Sequence, residues 1–174
     1  MKRVLIVVDM QNDFVDGALG TKEAALALGS VVAKIECFDG RVIATMDTHQ
    51  QDYLETAEGK KLPVPHCIKG TYGWELNEKV REALEKKDYR TVEKGTFGSV
   101  SLAQELLEAW EEEPFEAELV GLCTDICVIS NALLLKAYIP QMRILADAAC
   151  CAGVTPKTHQ AALETMKMCQ IKIG

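Results

Sequence analysis

Long apolar runs are missing from this chain: nowhere in its 174 residues does one approach the ~18–20 residues that a membrane span needs. A basic cluster is missing too. Lys and Arg number 19 against 26 Asp and Glu, a formal charge of −7, which argues against nucleic acid as a partner. No Cys-x-x-Cys pair of the zinc-binding kind occurs. The seven cysteines are an odd, scattered set (Cys37, Cys67, Cys123, Cys127, Cys150, Cys151, Cys169). Adjacent Cys150 and Cys151 make no disulfide framework for a domain of this size, so they read as reduced thiols of a cytoplasmic protein. Internal repeats, low-complexity stretches and linkers are also lacking. The length therefore fits one domain, residues 1–174, and is too short for two ordinary ones. Hydrophobic residues at 48% and charged residues at 26% are the balance of a soluble globular domain.

What is present is a regular alternation of strands and helices. The cationic start and apolar run of residues 1–8 look at first like a leader, but Asp9 and Asp13 interrupt it early. It reads better as a first strand over 2–9. Helical composition follows over 23–38, a second strand over 41–47, and a long irregular stretch, 48–72, rich in Pro, Gly and charge. Leu76, Val80 and Leu84 recur every four residues in a helix over 74–86. A short strand over 89–94 and a helix over 101–110 come next. The acidic run 111–113 reads as solvated surface. Then come a strand over 117–123, a helix over 125–138 and a strand over 141–146. Thr155 and Pro156 supply an N-cap and a first-turn Pro for a helix reaching Met168, and 170–173 forms a sixth strand. Strands buried on both faces read as unbroken apolar runs. The expected fold is thus α/β, a doubly wound, mostly parallel six-stranded sheet with helices on both faces.

In such sheets ligands bind beyond the carboxyl ends of the strands, and four of those ends carry reactive residues. Asp9 ends the first strand, Asp47-Thr48-His49 the second and Lys94 the third, while Cys123–Cys127 turns from the fourth into a helix. A thiol in the first turn of a helix faces unpaired N–H groups and the positive dipole end, which favour thiolate. Asp9 is placed to take the proton of Cys127 and return it to a leaving amine. Lys94 would hold Asp9 ionised and stabilise developing negative charge. The N–H groups of Cys123 and Cys127 would form an oxyanion hole. A thiol needs less activation than a hydroxyl, so no His is required in the trio.

With these residues assembled, the chain resembles the cysteine hydrolases of the isochorismatase-like superfamily, and within it the nicotinamidase-type amidases. The likeness rests on five motifs in order: Val7-Val-Asp-Met-Gln-Asn-Asp-Phe14, Asp47-Thr-His49, Pro65-His-Cys-Ile-Lys-Gly-Thr71, Lys94-Gly-Thr-Phe97 and Gly121-Leu-Cys-Thr-Asp-Ile-Cys-Val128. It implies a three-layer fold, a catalytic triad of Asp9, Lys94 and Cys127, and a cis peptide between Leu122 and Cys123. It implies a divalent metal on Asp47, His49 and His66, with Glu58, or less well Glu55, as a fourth ligand. It also implies a homo-oligomer acting on a small amide. The metal has independent support, because two of only three histidines fall in this short region with an Asp close by. Such donors suit Zn²⁺, or Fe²⁺ and Mn²⁺, better than Mg²⁺ or Ca²⁺. The third histidine, His159, lies in the last helix and reads as structural or exposed.

One departure bears on substrate. Nicotinamidases carry a bulky aromatic just before Pro-Pro-His that packs on the pyridine ring, whereas residues 61–66 here are Lys-Leu-Pro-Val-Pro-His. Phe14 and Phe97 are the candidate pocket residues, with core packing as the alternative for each, and Tyr72 and Trp74 could add a wall. The expected reaction is hydrolysis of a carboxamide through a thioester, with nicotinamide as the leading substrate. Three alternatives stay open: another amide, ureido or carbamoyl compound, isochorismatase-type hydrolysis, and a non-catalytic redox-sensing or metal-binding role.

Overall fold

In the computed structural model, which describes residues 2–174, six strands form one sheet: β1 (Lys2–Val8), β2 (Arg41–Asp47), β3 (Tyr89–Lys94), β4 (Phe115–Leu122), β5 (Ile144–Ala152) and β6 (Lys172–Ile173). Their spatial order is β3-β2-β1-β4-β5-β6, and every pairing is parallel. The chain first winds outward from β1 through β2 to β3, then returns to the other side of β1 for β4. The switch point falls between β1 and β4, where an open parallel sheet leaves a crevice at its carboxyl edge. Registers Val8↔Thr45, Asp47↔Lys94 and Val8↔Gly121 bring the ends of β1 to β4 level there.

Strand alternation sends the two faces of β1 into separate cores. Val4, Ile6 and Val8 join Leu119 and residues of α5 (Val100–Glu112), α6 (Ile129–Tyr138) and α7 (Pro156–Met168). Leu5 and Val7 join Val120, Leu122 and residues of α2 (Lys22–Cys37) and α4 (Glu78–Leu84). The result is helix, sheet, helix, the three-layer α/β fold expected. No helix among the described residues is long and apolar enough to cross a membrane.

The elements differ from expectation where tertiary pairing overrides local pattern. The helix expected over 74–86 begins only at Glu78, because Leu76 is extended and bridges Gln11. The strand expected over 141–146 starts at Ile144 and runs on to Ala152, its small residues lying under α2. The irregular stretch holds a 3-10 turn (Tyr53–Glu55) and a short α3 (Ala57–Lys61), and a one-turn α1 (Asn12–Val15) follows β1. Cys127 lies in a π-helical turn, Thr124–Val128, ahead of α6. Such turns recur at functional sites. Gly121 is demanded by sheet packing, for its φ is +113° and a Cβ there would stand 2.2 Å from the Val8 carbonyl oxygen.

Candidate active site

Asp9, Lys94 and Cys127 meet at the switch point, and each is almost wholly buried, with exposures of 0, 5 and 4%. Asp9 follows β1 in a left-handed backbone conformation, φ 47°, uncommon for a side-chain-bearing residue. Its N–H donates to both oxygens of Thr45 at 3.2 Å, and the Thr45 hydroxyl donates to Asp9 Oδ1 at 2.6 Å. Oδ2 lies 2.7 Å from Lys94 Nζ as an ion pair, yet no donor among the described residues meets it in hydrogen-bond geometry. Lys94 Nζ also reaches Asp47 Oδ1 at 3.2 Å, the Thr96 carbonyl at 3.0 Å and Cys127 Sγ at 3.6 Å.

These contacts set the protonation states. Burial disfavours the Lys94 ammonium, but Asp9, Cys127 and Asp47 outweigh it and hold the lysine cationic, its pKa above the ordinary value. Burial raises the Asp9 pKa against the pull of Lys94. Burial, with Asp9 adding, also pushes the Cys127 thiol well up, against Lys94. The thiolate expected at a helix N-terminus is therefore not the resting form: desolvation outweighs the dipole at a buried sulfur. Thiol and carboxylate both resist charging, and Oδ2, the Asp9 oxygen not bound to Thr45, meets the same Lys94 ammonium as the thiol.

The peptide between Leu122 and Cys123 is cis. The Cys123 N–H has no acceptor among the described residues, as an oxyanion donor requires. Burial, with Asp125 and Asp9, pushes the Cys123 thiol up to about 12, so its sulfur stays protonated at neutral pH.

Beside the triad stands a second cluster. One donor atom each from Asp47, His49, Glu58 and His66 lies within 4.8 Å of the other three. Asp47 Oδ2 is 3.1 Å from His49 Nε2 and 3.7 Å from His66 Nε2, and Glu58 Oε1 is 3.7 Å from each imidazole. His66 Nδ1 is 2.8 Å from the Val64 carbonyl. A carbonyl only accepts, so Nδ1 carries the hydrogen and the neutral ring aims the Nε2 lone pair at two carboxylates. That convergence calls for a cation, and two imidazoles with two carboxylates suit a divalent transition metal. Burial opposes ionisation of Asp47, but the His49 hydrogen bond, with His66 and Lys94 close by, holds it well below the usual carboxylate range. Burial also opposes charging of His66, yet the nearby Asp47 carboxylate, with the Val64 carbonyl and Glu58, outweighs it and raises its pKa. Asp47 thus links the cluster to Lys94. Glu55 is exposed and outside the cluster.

Phe14 is buried, its ring centroid 5.5 Å from that of His66 in an edge-on arrangement. Phe97 is 42% exposed and Tyr72 75%, while Trp74 donates its Nε1 hydrogen to Thr48 at 2.9 Å. The sequence reading missed Tyr53, which is buried against both metal-site imidazoles, centroids 4.7 and 5.0 Å away, and donates to the Leu62 carbonyl at 2.9 Å. It missed Gln11 too. That side chain accepts from the Asp47 N–H and donates to the Asp47 carbonyl, both at 2.8 Å. Asn131 is a third: it donates to the carbonyls of Cys127 and Phe97 at 2.8 and 3.1 Å and accepts from the Ser99 N–H at 3.0 Å. It thereby joins the nucleophile's turn to the loop after Lys94. A polar residue in each element that a core face should fill with apolar ones was the available signal for Asn131 and Gln11; Tyr53 had none.

The chain is similar to a nicotinamidase/pyrazinamidase of Mycobacterium tuberculosis, 29% identical over 184 residues, covering 98% of this chain and 97% of that one. It superposes on the crystal structure of nicotinamidase/pyrazinamidase PncA from Bacillus subtilis at a TM-score of 0.85, with 29% identity and full coverage of both chains. Its likeness to the pyrazinamidase of Pyrococcus horikoshii in complex with zinc has a TM-score of 0.78 and 25% identity, covering 100% of this chain and 99% of that one. The Isochorismatase domain model matches residues 3–173, and the chain belongs to that family.

Proposed function

We propose that this protein is a cysteine amidohydrolase that converts a small carboxamide to the acid and ammonia, with nicotinamide as the leading substrate. The observation that carries the reading is a buried Asp9 carboxylate whose Oδ2 pairs with the Lys94 ammonium at 2.7 Å, while that ammonium also lies 3.6 Å from the Cys127 sulfur. In the first step Sγ of Cys127 bonds to the carbonyl carbon while its proton passes to Asp9 Oδ2. The N–H groups of Cys123 and Cys127 hold the oxyanion. Collapse re-forms the carbonyl and breaks the C–N bond, and Asp9 gives its proton to the departing ammonia. Water then adds to the thioester with Asp9 taking a proton. The C–S bond breaks, the acid leaves, and Cys127 recovers its proton from Asp9. Lys94 stays charged throughout, and Asp47 and Thr45 hold it and Asp9 in place.

Asp47, His49, Glu58 and His66 would hold the metal, most fittingly Zn²⁺, with Fe²⁺ or Mn²⁺ as substitutes. When bound, it supplies Lewis acidity and a coordination position beside the triad. Phe14 and Phe97 stand as pocket residues, and a homo-oligomer in the cytoplasm completes the reading. A panel of small amides assayed for ammonia release, with metal content measured on the same sample, tests it. Turnover is expected for nicotinamide and a bound divalent metal near one per chain. A folded wild-type chain that releases ammonia from no amide would sink the reading.

A further inference from the structure

Cys123 and Cys127 sit at the two ends of a π-helical turn, and the interior of that turn is fastened from behind. Thr124, wholly buried, has its Oγ1 2.8 Å from Nδ1 of His159 on α7, and no other side-chain partner of that hydroxyl exists among the described residues. The next residue, Asp125, accepts the Val154 N–H with both carboxylate oxygens at 3.1 Å. The strand-to-helix connection that supplies both contacts is itself closely defined. Thr155 caps α7 in a reciprocal pair with Thr158, Pro156 starts the helix, and the His159 N–H donates to the Thr155 carbonyl at 2.9 Å. Gly153 lies so close to His159 that a Cβ would fall 2.9 Å from its Cα and Cβ. Burial holds the imidazole below its ordinary pKa against Asp125, so a neutral ring meets the hydroxyl.

We infer that His159 is a positioning residue: acting through Thr124 Oγ1, it fixes the turn that aims the Cys127 sulfur and the Cys123 N–H at the same carbonyl. It touches neither substrate nor the reacting atoms. A misplacement near 1 Å at a nucleophile costs on the order of 10²-fold in rate, and this contact is the turn's anchor to α7.

The proposal rests on the amidohydrolase reading, but the two fail separately. Absence of turnover by the wild-type chain counts against that reading, whereas alkylation of Cys127 by iodoacetamide, mapped by peptide mass, reports the turn's geometry without turnover. For folded His159→Ala, kcat is expected to fall about tenfold to a hundredfold with KM within about twofold, and alkylation of Cys127 to slow in parallel. His159→Asn, whose amide sits where Nδ1 was, should recover most of kcat. Thr124→Val should match His159→Ala, and the double variant should be no worse than either single one. Rates within about threefold of wild type in His159→Ala, no recovery in His159→Asn, or losses that multiply in the double variant would each overturn the inference. Should His159→Ala not fold, Thr124→Val keeps the shape and carries the test alone: unchanged kcat and alkylation overturn it.

Discussion

Asp9 divides its two oxygens between fixed and mobile duties. Oδ1 is committed to Thr45 at 2.6 Å, while Oδ2 pairs with Lys94 at 2.7 Å. Burial raises the Asp9 pKa above its ordinary value. The base must be ionised to accept the thiol's proton, so kcat/KM should fall with decreasing pH through a midpoint above the ordinary carboxylate value of about 3.9. A midpoint at or below that value contradicts the assignment. Lys94, held cationic, should add no alkaline limb below about pH 10. Asp9→Asn keeps the shape and removes the base, and should cost about a thousandfold in kcat. In the neighbouring cluster, His66→Asn and His49→Asn should each lower metal content on dialysis against a weak chelator, because each removes one imidazole donor from the four-residue cluster. Wild-type occupancy in both variants would remove them from the ligand set.

At the scale of elements, the strand ends were legible because the sequence breaks its own pattern there. An acid after five buried apolar residues in β1, an Asp ending β2 with a His two residues on, and a Lys ending β3 are costly in a core unless they are used. The turn after β4 was legible as a turn carrying a candidate nucleophile, but not as a π-helix, since the contacts that hold it come from elsewhere in the chain: His159 of α7 meets Thr124, and Val154 of the loop before α7 meets Asp125. Its thiol's true acidity was illegible for the same reason: burial is a tertiary property, and it reversed the dipole argument. A second element-level feature escaped reading altogether. Glu118, buried in the middle of β4, is met by Arg3 at 2.5 Å and by Lys34 of α2 at 2.7 Å, and Lys34 also holds Asp147 of β5 at 2.6 Å. Lys34 therefore pins α2 across two strands. Removing it leaves a buried carboxylate short of a partner, so Lys34→Ala should destabilise by about 3 kcal/mol, read from denaturant midpoints. Asp147 has its pKa lowered, because Lys34 outweighs burial. Its contribution is fully present above the unfolded value of about 3.9 and is lost as pH falls through the lower folded value. The stability gap between Asp147→Asn and wild type should thus be largest near neutrality and close in acid. A gap that is constant with pH would show that the pair is not what Asp147 contributes.

For the whole molecule, the order of strands does most of the positioning. Winding outward from β1 and returning to its other side opens one crevice; Asp9, Asp47, His49, Lys94 and Cys127 lie at or just beyond the carboxyl ends of β1 to β4, and the segment after β2 brings Glu58 and His66 to them. Six strands, their parallel sense and their helical cover followed from apolar runs alternating with amphipathic helices, because those patterns are set by burial in either case. The residues that escaped the sequence reading share a property. Tyr53, Gln11, Asn131 and Thr124 act by holding other groups in place, and nothing about a Tyr in a loop or an Asn in a helix announces which backbone it will meet. The substrate's shape is the least legible part, since Leu62 and the prolines around Val64 replace the aromatic expected beside the ring. The account stands or falls on Cys127 as the nucleophile. Rapid quenching of the wild-type chain with nicotinamide, followed by intact-mass and peptide analysis, should find a nicotinoyl group on Cys127, with ammonia release abolished in folded Cys127→Ala. Ammonia release at a wild-type rate from Cys127→Ala, or the acyl group on any other residue, would contradict it.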